Sequence, residues 1–125
     1  MNTIFINLSN HPLEGWSKSQ LNAARTISPI LVDLSFPAVP PTATTQEVRA
    51  NALNLVTIVE NIAKDNHAED IHVMIQGEFT LVHNFVNAAK DVYIKCYAAT
   101  SKRETTIDHE NQKISRFTFV QLRQY

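Results

Sequence analysis

The stretch HVMIQGEFTLVH, residues 72–83, joins an apolar strand-like run to a helix-like run through one glycine. Gly77 stands out because the chain has only two glycines in 125 residues. A glycine at such a junction lets the backbone turn sharply and lets a ligand come close, and the free amides of the following helix suit a phosphate. Gly77 could equally do no more than relieve a tight turn. On either interpretation, the stretch predicts a strand followed directly by a helix.

Strand and helix patterns alternate on both sides of this junction. Strands are predicted at 3–8, 29–36, 70–76, 92–100 and 113–125, and helices behind the Ser17–Gln20 capping box, at 44–64 and at 80–91. No helix separates the last two strands, which the polar segment DHENQ connects, so they are expected to form an antiparallel hairpin. The sequence therefore predicts a single α/β domain over residues 1–125. It is a small Rossmann-like, mainly parallel sheet with helices on both faces and a C-terminal β-hairpin at one edge.

Composition restricts the classes of function. The formal net charge is −1, so no general basic field is present to hold duplex nucleic acid, whereas a few local cations could still hold a short nucleotide. Cys96 is the one cysteine, which indicates a reducing compartment. No leader-like or membrane-spanning apolar segment is visible, and we expect a cytoplasmic protein. The histidines lack ligand spacing such as HExxH, so neither a metal nor a cofactor is predicted.

Three polar clusters follow predicted strands, and the carboxyl ends of parallel strands are where ligands bind in such folds. We therefore expect these clusters to meet at one edge of the sheet. The first comprises Ser9, Asn10 and His11; the second Gln76, Gly77, Glu78, Phe79 and Thr80; and the third Thr100, Ser101, Lys102, Arg103 and Glu104.

Each candidate in these clusters also has an interpretation that needs no ligand. His11 could act as a general acid or base, or be an ordinary turn histidine before Pro12. Lys102 and Arg103 could bind a phosphate with Thr100 and Ser101 as further donors, or be solvated surface charges. Glu78 could bind a ribose hydroxyl or a base amino group, or cap the next helix.

Two further residues are considered outside these clusters. Trp16 could stack on a base or act as a hydrophobic staple at the start of the first helix. Cys96 lies in an apolar strand, where a buried and inert thiol is expected.

The segments INLSNHP (6–12), GEFT (77–80), ATSKRET (99–105) and FTFVQLRQY (117–125), with Trp16 and Gln20 after the first, together resemble a known group. They are similar to small stand-alone CRISPR-associated proteins with a CARF-like, Rossmann-type fold. That group includes binders of cyclic oligoadenylates and the ring nucleases that cut them. The resemblance extends over most of the chain in the order of its elements, although each motif is short.

The resemblance implies a homodimer whose strand-end loops form one pocket around a symmetric cyclic nucleotide. The ligand would contact Ser9, Asn10, Gln76, Gly77, Glu78, Thr80, Thr100 and Ser101, with His11, Lys102 and Arg103 taking part in cleavage. Cleavage in this group needs no metal, because a ribose 2′-hydroxyl attacks the adjacent phosphate. The expected function is removal of a second messenger that drives type III CRISPR signalling. The alternatives are a non-catalytic sensor or sequestering module with the same pocket, and an enzyme acting on another small nucleotide with Glu78 and His11 as an acid–base pair. A purely structural protein is the remaining possibility.

Overall fold

The computed structural model describes residues 2–125, in which strands and helices alternate as the sequence predicts. The elements are β1 (Thr3–Ser9), a 3-10 turn (Leu13–Gly15), α1 (Lys18–Ile27), β2 (Leu31–Ser35), α2 (Thr45–Asp65), β3 (Asp70–Ile75), α3 (Phe79–Asp91), β4 (Lys95–Ile107) and β5 (Lys113–Gln124). The α/β class and the C-terminal hairpin are confirmed. No helix within residues 2–125 combines the length and apolar character needed to cross a membrane.

The five strands form one sheet in the order β2-β1-β3-β4-β5. Strands β1 to β4 are parallel, and β5 is antiparallel to β4. The order reverses between β1 and β3, because the chain leaves β1 toward one edge of the sheet and returns to β3 on the other side. In open α/β sheets this reversal opens a crevice at the carboxyl ends of the strands.

Helices cover both faces of the sheet, each over its own hydrophobic cluster. Helices α2 and α3 enclose the larger cluster, in which Ile4, Ile6, Val59, Val73 and Phe85 are fully buried. Helix α1 covers the smaller cluster on the opposite face, which is built from Phe5, Trp16, Ala24 and Met74. Successive residues of β1 therefore alternate between the two clusters, as expected for a strand buried on both sides.

Side-chain caps start the three helices where the sequence signals them. Ser17 accepts a hydrogen bond from the Gln20 amide at the start of α1, and Thr44 accepts one from the Glu47 amide at the start of α2. Both pairs have the spacing of a capping box, and each satisfies a backbone donor that the helix itself cannot pair.

The fourth strand differs from its predicted range of 92–100. Residues 92–94 form the turn that ends α3, in which Tyr93 has a φ of 61°, and β4 begins only at Lys95. At its other end β4 continues to Ile107, pairing with β5 as far as Lys113. The polar segment SKRETTI (101–107) lies beyond the predicted end of this strand. It extends as a strand because β5 supplies a hydrogen-bonding partner and neither face is buried.

The outer half of the β4–β5 hairpin, residues 101–119, projects from the sheet as a two-stranded ribbon that we call the arm. Its residues are exposed apart from Asp108 and Phe119, which are half-buried. Asp108 accepts hydrogen bonds from the amides of Glu110 and Gln112, both at 2.9 Å, and closes the turn at the tip. The predicted turn DHENQ is thus confirmed.

A β-bulge separates the arm from the rest of the sheet. Thr100 pairs with Gln121 but Ser101 pairs with Phe119, so Val120 has no partner in β4. Side chains alternate between faces along a strand, and one extra residue therefore reverses the alternation beyond it. Leu122 faces α1, and beyond the bulge Phe119 and Phe117 face that same side. A regular ladder would have placed Val120 and Thr118 there.

Candidate functional site

A cleft of about 530 Å³ lies at the carboxyl ends of β1 and β3, where the strand order reverses. One wall is the loop after β1 with the start of α1, and the other is the base of the arm. Its lining residues are His11, Gly15, Trp16, Ser17, Ser19, Gln20, Met74, Gln76, Ala99, Thr100, Ser101, Phe117, Thr118 and Phe119. Four predicted site residues therefore meet here: His11, Gln76, Thr100 and Ser101.

A buried hydrogen-bond network holds the loop after β1. The backbone carbonyl of His11 accepts bonds from Asn7 Nδ2 at 2.8 Å, Trp16 Nε1 at 2.8 Å and Ser9 Oγ at 3.3 Å. Asn7 Nδ2 also donates to Asp33 Oδ1 at 2.9 Å, and that oxygen accepts the Leu13 amide at 3.0 Å. Asn7 is 1% exposed, and its side chain joins β1, β2 and the loop, so these bonds fix the path of the loop.

Sequence reasoning missed Asn7 and Asp33, although a signal was present. Asn7 interrupts the otherwise apolar run TIFINL, and Asp33 interrupts PILVDLSF. A polar side chain in a strand buried on both faces needs a partner. The register supplies one, because Asn7 lies directly beside Asp33 in the parallel β1–β2 pair.

The His11 side chain lines the cleft and is exposed. It is the one titratable side chain among the lining residues that the structure describes. The ring nitrogens of a histidine can accept or donate a proton. The cleft is therefore equipped for one proton transfer.

The far wall of the cleft offers neutral polar groups. Gln76 follows β3 directly. Its main-chain N–H donates to the main-chain carbonyl of Leu8 at 3.1 Å, and its side chain carries the carboxamide. The Thr100 hydroxyl is hydrogen-bonded to the main chain of β5. It donates to the main-chain carbonyl of Gln121 at 3.1 Å and accepts a bond from the main-chain N–H of Gln121 at 3.2 Å. Thr100 thus braces the bulge, whereas Ser101, one residue further, faces the cleft with no such bond recorded.

Three aromatic side chains line the same cleft: Trp16, Phe117 and Phe119. Trp16 packs edge-to-face on Phe5 with 6.2 Å between ring centroids, and Leu21 packs against the same cluster. This contact is the predicted staple, since Trp16 precedes the N-cap Ser17 and Leu21 lies one turn inside the helix. Phe117 differs in being 66% exposed. Planar apolar surface is therefore available to a ligand.

Lys102 and Arg103 lie in mid-strand on the arm and not in a loop after a strand. Their side chains point to opposite faces, because adjacent strand residues alternate. Lys102 faces away from the cleft and lies 3.8 Å from Glu104 Oε1. Arg103 shares the cleft face, with its guanidinium 5.9 Å from the centre of the Phe117 ring and 3.3 Å from Ser115 Oγ. The predicted cation pair is thus divided, and only Arg103 lies beside the cleft.

The GEFT segment, whose Gly77, Glu78 and Thr80 were predicted to bind ligand, is not part of the cleft lining. A Cβ on Gly77 would lie 2.5 Å from carbons of the Phe36 ring, and its φ is not positive. The glycine is therefore required by the close approach of a buried aromatic ring. Thr80 lines instead a groove of about 720 Å³ between α2 and α3, the helices that cover the face of the sheet opposite α1.

Glu78 is the N-cap of α3, which is the structural alternative to ligand binding. Its carboxylate accepts the Thr80 hydroxyl at 2.6 Å and the amides of Leu81 and Thr80 at 2.9 and 3.0 Å. All three bonds lower the pKa of Glu78, and the bond from the Thr80 hydroxyl has the largest effect. Because the carboxylate occupies the amides that start α3, the predicted phosphate site there is already filled, and the Glu78–His11 acid–base pair is not assembled.

The three residues of the first polar cluster, Ser9, Asn10 and His11, do not all lie in the cleft. Ser9 is buried and donates to Asn7 Oδ1 at 2.7 Å, so it supports the loop rather than contacting the cleft. Asn10 is exposed and does not line the cleft. Of the three residues, only His11 reaches the site.

A second polar cluster, missed by sequence reasoning, lies at the opposite end of the parallel strands. His72 bonds the Tyr97 hydroxyl at 2.7 Å through Nδ1 and Asp70 Oδ2 at 3.0 Å through Nε2, and Lys95 Nζ donates to Asp70 Oδ1 at 2.9 Å. The bond from His72, followed by that from Lys95, lowers the pKa of Asp70. Burial raises the pKa of Tyr97. The cluster joins β3 to β4 and is separate from the cleft.

The remaining two predictions concern Cys96 and side chains that could bind a metal ion. Cys96 is buried, as predicted, and burial raises the pKa of its thiol to about 12. Within residues 2–125 no three His, Cys, Asp or Glu side chains are grouped so that they could hold a metal ion.

Comparison with known proteins identifies the family. The profile of the uncharacterized protein MJ1673 family matches residues 3–123, so the chain belongs to that family. The match includes β1, all residues that line the cleft and the whole arm. No curated protein matches the sequence.

Proposed function

We propose that the cleft at the carboxyl ends of β1 and β3 binds a cyclic oligoadenylate and cleaves it without a metal ion. The observation that carries this proposal is the convergence of His11, Gln76 and Ser101 with exposed aromatic surface at the point where the strand order reverses. Polar groups of this kind can bond the edge and ribose of an adenosine, and the aromatic rings can stack on its base. The mainly parallel sheet covered on both faces is compatible with a Rossmann-like, CARF-like domain.

The size of the cleft bears on how such a ring is held. A cavity of about 530 Å³ is of the size that holds one drug-like ligand. A ring of several nucleotides therefore extends beyond one cleft and needs further protein surface. A homodimer with two clefts facing each other supplies that surface with matching symmetry, and it is the assembly that we propose.

In the proposed cleavage step, neutral His11 accepts the proton of a ribose 2′-hydroxyl. The 2′-oxygen bonds to the adjacent phosphorus while the bond from phosphorus to the 5′-oxygen breaks, and the departing oxygen takes a proton from water. The products carry a 2′,3′-cyclic phosphate and a 5′-hydroxyl. Arg103, the cation on the cleft side of the arm base, stabilises the charge on the phosphate. Lys102 has no part, because its side chain lies on the opposite face of the arm.

A sensor or sequestering module is the second candidate, and one observation favours it. His11 is the single titratable group among the described lining residues, whereas proton transfer at both the attacking and the leaving oxygen is commonly assisted by two groups. A protein that only binds the ring needs the aromatic and polar surface of the cleft but not His11.

The deciding experiment is incubation of the purified protein with cyclic tri-, tetra- and hexa-adenylate in EDTA. Chromatography follows the products, and fluorescence of Trp16, the one tryptophan, follows binding on the same samples. Linear products ending in a 2′,3′-cyclic phosphate support the ring nuclease, and binding without products supports the sensor. No binding to any of the three rings contradicts both.

A substitution tests the role of His11 directly. His11→Ala should reduce the cleavage rate by about 10²-fold or more, the usual contribution of an acid or base, while changing ring affinity little. His109→Ala, at the exposed tip of the arm, is the matched control and should change neither. If His11→Ala weakens binding more than it slows cleavage, His11 positions the ligand and is not the base.

A further inference from the structure

The cleft-facing side of the arm continues the surface of the cleft away from the sheet. Ser101, Arg103, Thr105 and Ile107 of β4 share this side with Phe119, Phe117, Ser115 and Lys113 of β5, according to the register of the ribbon. The charged residues on this side, Arg103 and Lys113, are both cations. Glu104 lies on the other side with Lys102 and Arg116. One face of the arm thus combines positive charge with aromatic surface.

The bulge at Val120 creates this face. If Val120 were instead paired with Ser101 in a regular ladder, Thr118 and Arg116 would face the cleft side, and the phenylalanines would point the other way. Bulges recur beside functional sites, where they change the direction of a side chain. Here the bulge directs Phe117 toward the cleft although 66% of its surface remains exposed, an arrangement that gives the isolated chain little stability.

Arg103 is held in place beside this ring. Its guanidinium lies 5.9 Å from the Phe117 ring centre and donates to Ser115 Oγ at 3.3 Å. The salt bridges within residues 2–125 join His72 and Lys95 to Asp70 and Lys102 to Glu104, so no carboxylate is recorded on Arg103. A planar, oriented guanidinium with free donors is well suited to bind a phosphate.

From this arrangement we infer a second nucleotide subsite on the arm, formed by Phe117 and Arg103. It deepens the proposed function and rests on it. One adenosine occupies the cleft beside His11, the base of the next nucleotide stacks on Phe117, and the phosphate between them binds Arg103. The ligand class for the complete site is therefore an adenylate chain of at least two nucleotides, open or closed into a ring.

The test compares a mononucleotide with a short chain, because only the chain can reach the arm. Trp16 fluorescence reports the affinity of adenosine monophosphate and of linear tri-adenylate for the wild type and for Arg103→Ala and Phe117→Ala. Each substitution should weaken tri-adenylate binding roughly tenfold or more, as expected for one charge-assisted or stacking contact. Each should change the binding of adenosine 5′-monophosphate less than about twofold, because this ligand has no 3′-phosphate to reach Arg103.

Matched controls separate the subsite from general charge and hydrophobic effects. Arg116→Ala removes a cation from the opposite side of the arm, and Phe79→Ala removes an 88% exposed phenylalanine from the start of α3. Both should leave tri-adenylate affinity unchanged. If Arg116→Ala is as harmful as Arg103→Ala, the arm acts only through its overall charge, and the subsite is wrong.

Changes of register provide a stricter test with the composition nearly constant. One alanine inserted between Thr100 and Ser101 restores a regular ladder and turns Arg103 and Phe117 to the other side of the arm. Deletion of Val120 also removes the bulge but keeps both side chains on the cleft side. The insertion should reproduce the loss of tri-adenylate affinity, and the deletion should retain most of it.

The outcomes distinguish the subsite from the proposed function. Failure of every adenylate to bind the wild type contradicts the proposed function, and the subsite with it. Normal binding of tri-adenylate to Arg103→Ala and Phe117→Ala overturns the subsite alone. Equal weakening of the mononucleotide and the chain also overturns it, because both residues would then belong to the inner cleft.

Discussion

The arm and the rest of the molecule, which we call the body (residues 2–100 and 120–125), share one hydrogen-bonded sheet but are held by different forces. In the body, strands are buried between two hydrophobic clusters, and polar side chains such as Asn7 have partners. In the arm, two strands pair only with each other and are exposed on both faces. Packing therefore fixes the body, whereas register fixes which side chains the arm presents. Residues can thus be changed on the arm with little cost in folding, which suits a surface used for recognition.

The largest expected difference comes from removing the same side chain in the two regions. Phe85→Ala empties a fully buried position in the body and should lower the free energy of unfolding by about 3–5 kcal/mol. Phe117→Ala removes a largely exposed ring on the arm and should change it by less than about 0.5 kcal/mol. Urea denaturation followed by circular dichroism measures both.

That pair of values decides whether the two regions are energetically distinct. If Phe117→Ala lowered the free energy of unfolding about as much as Phe85→Ala does, the Phe117 ring would be packed in solution, for example against a second copy of the chain. A concentration-dependent unfolding midpoint would then accompany the loss.

An intermediate effect is expected for Gly77→Ala, which tests the close contact that begins α3. The added methyl group would overlap the buried Phe36 ring and should cost about 1–3 kcal/mol, the usual range for overpacking. The double variant Phe36→Leu with Gly77→Ala should show a smaller penalty for the alanine than the wild-type background, because the ring is gone. An unchanged penalty would assign the glycine to backbone conformation instead.

The smallest expected effect concerns acid stability of the body. The pKa of Asp70 is lowered below its ordinary value of 3.8, so the carboxylate stabilises the folded state above that pH. This contribution is lost as the pH falls through the lower, folded-state pKa. Asp70→Asn should therefore flatten the decline in the free energy of unfolding below about pH 4.

The two partners of Asp70 should contribute unequally to that decline. Lys95→Met should flatten the decline in the free energy of unfolding at acid pH less than Asp70→Asn does. The reason is that the bond from His72 lowers the pKa of Asp70 more than the bond from Lys95 does. Equal acid sensitivity in the wild type and Asp70→Asn would contradict the role assigned to the carboxylate.

The order of strands and helices could be predicted from the sequence because the body has strong local signals. One-sided apolar spacing marks α2, and the Ser17 and Thr44 caps mark where helices begin. The convergence of His11 and Gln76 could also be predicted, since both follow parallel strands. These features depend on residues close in sequence or on the general rule for strand ends.

The parts that could not be predicted depend on register between distant residues. Because one residue of β5, Val120, is left unpaired, Phe117 lies opposite Arg103 on the cleft side of the arm, and no local pattern marks this bulge. The contact of Phe36 with Gly77 and the pairing of Asn7 with Asp33 likewise join separate segments of the chain. Sequence patterns identified four of the residues that line the cleft, His11, Gln76, Thr100 and Ser101, but could not determine which of the predicted residues face it.

The three hydrogen bonds that meet on the His11 carbonyl have a consequence for how this site can change. They hold the main chain at position 11 without using its side chain, since the donors come from Asn7, Ser9 and Trp16. A different residue at this position would therefore stand at the same place in the cleft, on the same backbone. Descendants of this chain could replace the imidazole by a charged, amide or apolar group in a single step, so the chemical character of the cleft can change faster than the fold that forms it.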